Sequence, residues 1–155
     1  MTDVSRIMGI DHGEARIGVA LTDPLRLFAQ PYAIVPHTDE ETALGELKRI
    51  VETEGVGKVV VGLPTDAESW VGHQARIVLG WARNLAGKID VPVIMWDESY
   101  SSLDAGAMAA SGGRRRRSGD PVDDLAAAAI LQDYLDAGGG EHEPGQPLDA
   151  FRPEA

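Results

Sequence analysis

The sequence predicts an α/β fold, a five-stranded mixed sheet with helices on both faces, and three observations carry that prediction. Two short apolar runs, Ser5 to Ile10 and Ile17 to Thr22, are separated by a turn too short for a crossover, so they must pair as an antiparallel hairpin. A longer run, Lys58-Val59-Val60-Val61-Gly62-Leu63-Pro64, is apolar without alternation, the pattern of a strand covered on both faces inside a parallel sheet. The stretches that follow these strands place apolar residues at helical spacing.

Each element has its own justification. A third strand is expected near Tyr32 to Val35. Thr38-Asp39-Glu40-Glu41 then has the capping pattern of a helix start, and Leu44, Leu47, Ile50 and Val51 follow on one face until Gly55. Val71, Ala75, Val78, Ala82 and Leu85 mark a second amphipathic helix, with Gly87 in the position that favours a left-handed cap. Val91 to Glu98 reads as the next strand, apolar until its carboxyl end, where Asp97 and Glu98 appear. A helix is expected from Ser101 or Ser102 to about Ser111, then a loop from Gly112 to Pro121, then an alanine-rich helix from Val122 to Ala137 ended by Gly138-Gly139-Gly140. Hairpin, third strand, then alternating helices and strands is the ribonuclease H-like order. Residues 1–137 form that domain, and residues 138–155, acidic and poor in apolar side chains, are expected to be a disordered tail.

Composition narrows the function classes. The chain has 155 residues, enough for one core. No run approaches the roughly 20 apolar residues of a membrane span, and Met1 to Arg6 lack the features of a signal peptide, so a cytoplasmic location is expected. There is no cysteine, which excludes disulfides, thiolate metal sites and cysteine nucleophiles. The net charge of −11 opposes binding to nucleic acid on average. Its distribution is uneven, however: Arg114, Arg115, Arg116 and Arg117 are consecutive and stand a few residues before Asp123. A basic segment there would either be a solvated loop or gather a nucleic-acid backbone beside a site.

In open sheets of this order, ligands gather outside the carboxyl ends of the strands. Asp11 and the pair Asp97-Glu98 stand at such ends, and a last helix packed across the sheet would bring Asp123 over the same crevice. Three converging carboxylates raise one another's pKa unless cations compensate, and Mg²⁺ prefers such oxygens. Each acid also has a plainer reading. Asp11 could close a turn with Gly13, and Asp123 could complement a helix dipole. Asp97 and Glu98 face opposite sides of a strand, so only one enters the crevice; Asp124 is an alternative to Asp123.

Ile10-Asp11-His12-Gly13 with Arg16-Ile17-Gly18-Val19-Ala20, then Val61-Gly62-Leu63-Pro64, Trp96-Asp97-Glu98, and Val122-Asp123 with Ala126 to Leu135 resemble, in order and spacing, the YqgF/RuvX family. That family is described as pre-16S rRNA nucleases and Holliday junction resolvases with a ribonuclease H-like fold. The resemblance implies a metal-dependent nuclease processing the 5′ end of pre-16S rRNA. Asp11, Glu98 and Asp123 would be both catalytic acids and ligands of two Mg²⁺ or Mn²⁺ ions. Arg16, Ser101, Ser102 and Arg114 to Arg117 would meet the nucleic acid, RNA in preference to branched DNA. Two departures stand out: Ser99-Tyr100-Ser101-Ser102 replaces the usual arginine-leucine-threonine-threonine, and His12 replaces a common tyrosine. The alternatives are a Holliday junction resolvase, which would act as a homodimer rather than a monomer, and a noncatalytic nucleic-acid-binding module. An actin-like ATPase would need a second domain.

Overall fold

A computed structural model describes residues 5–63, 73–97 and 123–148. Strands β1 (Arg6–His12), β2 (Arg16–Thr22) and β3 (Ala29–Pro36) form an antiparallel meander, followed by helix α1 (Glu40–Thr53) and strand β4 (Val56–Leu63). Helix α2 (His73–Ala86), strand β5 (Val93–Asp97), helix α3 (Asp123–Asp136) and the short strand β6 (Gln146–Pro147) complete the order. The sheet order is β3-β2-β1-β4-β5-β6. β4 pairs in parallel with both β1 and β5, so the continuous apolar run does lie in the parallel interior.

The two faces of the sheet carry different layers. Met8, Ile10, Val59, Val61 and Met95 pack with α1 and α2, while Ile7, Val60, Ile94 and Trp96 pack with Ala127, Leu131 and Tyr134 of α3. α1 begins with Asp39, not Thr38, as its cap: the Asp39 carboxylate accepts from the Thr42 amide, satisfying a donor that the helix leaves open. Gly87 does not take the left-handed conformation expected of it; the positive φ values belong to Gly55, Gly138 and Arg26. Gly138 closes α3, its amide donating to the Leu135 carbonyl while the Gly139 amide reaches Tyr134, the paired bonds of a Schellman ending.

Two boundaries differ from expectation with consequences. β1 continues through Asp11 and His12, which are thus strand residues and have a defined face. Residues 138–148 are not the disordered segment anticipated: β6 adds a sixth strand against Ile94 and Met95, and Leu148 is buried. The reason is tertiary. Glu143 reaches across to Lys58 and Tyr134, supplying an anchor that local composition does not reveal.

Candidate functional site

Alternation along β1 decides where Asp11 points. Ile7 and Gly9 belong to the α3 side and Met8 and Ile10 to the α1/α2 side, so Asp11, half-buried at the carboxyl end, takes the α3 side. Gly18 pairs with it on β2. On the other side, Ile10 pairs with Val61, which puts Gly62 beside Asp11; Gly62 in turn pairs with Trp96. Asp11 therefore has glycine on both flanking strands. Arg16 has the same parity on β2 as Gly18 and stands one pleat further toward the hairpin turn.

The start of α3 reaches this level. Gly9 lies directly under α3: a Cβ there would stand 2.7 Å from the Leu131 Cβ and 3.1 Å from the Ala127 carbonyl. The far end of the helix lies at the opposite rim of the sheet, since Gln132 accepts from the Ala29 amide and Tyr134 meets Lys58. α3 thus runs antiparallel to β1. Asp123 precedes Ala127 by one turn, about 6 Å of axis, and Asp11 lies two residues beyond Gly9, about 6.6 Å of strand. The first turn of α3 therefore lies toward the carboxyl end of β1. Asp123 and Asp124 are the first two residues of α3.

The other face of the same rim holds a ring cluster. His12 packs 4.8 Å from Trp81 and 5.1 Å from His37, centroid to centroid. Burial first, and then the neighbouring His37, hold the His12 imidazole below its ordinary pKa, so it is neutral at pH 7. His12 is therefore a packing residue turned away from Asp11. His37 ties down the hairpin: its amide donates to the Ala15 carbonyl at 2.9 Å, and its Nδ1 lies 2.9 Å from the Gly13 carbonyl oxygen. No motif in the sequence announced His37 or Trp81, because each comes from a separate element. Asp97 has the parity of Val93 and Met95 and so belongs to the α1/α2 side, opposite Asp11.

Of the remaining expected residues, Glu98, Ser101, Ser102 and Arg114 to Arg117 lie outside the described residues, as do Val71 and the helix expected near residues 101–111. Among the described residues, no three histidine or acidic side chains form a ready metal cage. Asp11 nevertheless has the right chemistry for one: a hard oxygen donor at an open rim suits Mg²⁺ or Mn²⁺. Among the described residues, no helix is long and apolar enough to cross a membrane.

Comparison with known proteins places the chain in a family. A family model described as "RuvX: Holliday junction resolvase" matches residues 5–137. A Syntrophus aciditrophicus protein named "Putative pre-16S rRNA nuclease" is 40% identical over 148 residues, covering 94% of this chain and 97% of its own. A Rubrobacter xylanophilus protein of the same name is 43% identical, covering 87% and 95%. Among solved structures, T. thermophilus RuvC in complex with a Holliday junction substrate shares the fold, with a TM-score of 0.59 at 15% identity over 92% of this chain and 99% of that one. By sequence match and by fold, the chain belongs to the YqgF/RuvX family of ribonuclease H-like nucleases.

Proposed function

We propose that the chain hydrolyses phosphodiester bonds in RNA, maturing the 5′ end of pre-16S rRNA in the cytoplasm, with Asp11, Glu98 and Asp123 as its metal-binding acids. The supporting observation is the setting of Asp11: a carboxylate at the carboxyl end of β1, flanked by Gly18 and Gly62, on the face where α3 begins. Glu98 follows Asp97 directly in the sequence, just after the end of β5. Asp123 opens α3.

Asp11, Glu98 and Asp123 would hold Mg²⁺ or Mn²⁺, which when bound would supply water activation and charge neutralisation at the leaving 3′ oxygen. The acids' part is to hold their charge in one place and define the line of attack, which three like charges do only with cations between them. Arg16, with the same parity as Asp11, serves the phosphate at the rim of the hairpin. Arg114 to Arg117 gather the backbone and offset the chain's net charge of −11. Ser101 and Ser102 offer hydroxyl donors in place of the usual threonines.

The family description and the fold shared with RuvC favour one second reading, cleavage of four-way DNA junctions. Symmetric junction cutting needs a homodimer, whereas end maturation of RNA proceeds with a monomer. The test is incubation with Mg²⁺ or Mn²⁺ and a precursor rRNA fragment, duplex RNA or a four-way junction, with Asp11→Asn as control and mass measured by light scattering. Cut precursor RNA, lost in Asp11→Asn, is the expected result. Junction cutting by a dimer would replace the RNA reading, and RNA binding without cleavage in any arm would leave a noncatalytic module.

A further inference from the structure

We propose that His37 is a positioning residue for Asp11, locking the β1–β2 turn from outside the hairpin. The inference rests on the reading of Asp11 as a metal-binding acid. The turn begins directly after His12 and closes at Gly13, where a Cβ would collide with the Arg16 carbonyl oxygen. His37, just past the end of β3, takes hold of this turn twice, through its amide on the Ala15 carbonyl and its ring on the Gly13 carbonyl. A carbonyl oxygen only accepts, so the ring nitrogen facing Gly13 is the protonated one. The ring then bears on His12, which is itself held against Trp81, only 4% exposed.

The consequence is a three-point clamp. Of the two residues that follow Asp11, His12 is held between His37 and Trp81 of α2 and Gly13 is held by His37, so the carboxylate's backbone is held in place from the face it does not occupy. Residues behind a metal-binding group matter in this way because they fix its orientation rather than touching the reacting atoms.

Two substitutions separate the donor from the ring. His37→Asn keeps an N–H close to where the ring nitrogen stands and discards the ring; His37→Phe keeps a ring and discards the N–H. The protein is assayed for cleavage of the precursor rRNA fragment, for Mn²⁺ affinity by electron paramagnetic resonance, and for melting temperature. The expected result is that His37→Phe lowers kcat and Mn²⁺ affinity by about 10-fold to 100-fold with KM unchanged, while His37→Asn recovers most of both. Equal losses in the two variants, or losses that follow melting temperature alone, would overturn the proposal by reducing His37 to packing. Wild-type behaviour of His37→Phe beside an inactive Asp11→Asn would overturn it while sparing the nuclease reading. A fully active Asp11→Asn would instead remove the reading of Asp11, and the role of His37 with it.

Discussion

The two rims of the sheet are built on different principles. At the amino rim, polar groups meet partners: the Tyr134 hydroxyl lies 2.7 Å from the Lys58 ammonium and within hydrogen-bond distance of both Glu143 carboxylate oxygens, and β6 covers β5. At the carboxyl rim, Asp11 stands between glycines on the face that α3 crosses. The same helix spans both. A fastened end lets the other end present its first residues at a fixed height over the sheet, which is what a site assembled from separate elements requires. Burial reinforces the fastening: desolvation, then the bond to Glu143, pushes the Tyr134 hydroxyl far above its usual pKa, so it stays protonated and able to donate.

The sharpest way to break this contrast is Tyr134→Ala. It removes a fully buried ring and its bonds at the amino rim, and should cost about 3 to 5 kcal/mol in denaturant unfolding, while cleavage by the folded fraction falls far less than in Asp11→Asn. Asp11→Asn should do the reverse, lowering cleavage by about 100-fold or more, equivalent to about 2.7 kcal/mol of barrier, with the melting temperature held. Gly9→Ala tests the link between the rims. Its methyl group would push on Leu131 and the Ala127 backbone, so we expect about 1 to 3 kcal/mol of destabilisation together with reduced cleavage, as the start of α3 shifts. A loss of stability without any loss of activity would show that the two rims are not coupled through α3.

Smaller effects sharpen the same picture. Asp39→Ala, at the cap of α1 and on neither rim's network, should cost about 1 kcal/mol and leave cleavage intact. The pH dependence comes from Glu143. Burial opposes its ionisation, but the bonds from Tyr134, Lys58 and the Gly145 amide outweigh burial and hold its carboxyl below the ordinary value. A depressed acid contributes stability above its unfolded pKa and loses it as pH falls through the folded value. Melting temperature should therefore fall on acidification below about pH 4.5, less steeply in Glu143→Gln than in the native protein. Identical slopes would place the acid sensitivity elsewhere.

Much of this architecture was legible in the chain. The apolar run from Val59 to Leu63 needs burial on both faces wherever it sits, so its place inside a parallel sheet follows from hydrophobicity alone. The short turn after His12 forces a hairpin, and α1 announces itself by its cap and its apolar stripe. Asp11 at a strand end is equally local. The four sequence blocks carried the family, since their order and spacing do not depend on any contact.

Other features depend on contacts between residues far apart in the chain. Which side of the sheet Asp11, His12 and Asp97 occupy is a matter of register, and a shift of one residue reverses it. β6 exists because Glu143 finds Lys58 and Tyr134, partners with no local signature. The grip of His37 on the hairpin joins elements more than twenty residues apart. The sequence by itself determined strands β1 to β5, helices α1 to α3 and a carboxylate at a strand end, because these follow from hydrophobic period, turn length and capping. Only the tertiary structure decided which carboxylate shares a face with the start of α3, because that is set by strand register and by the crossing of a helix over Gly9.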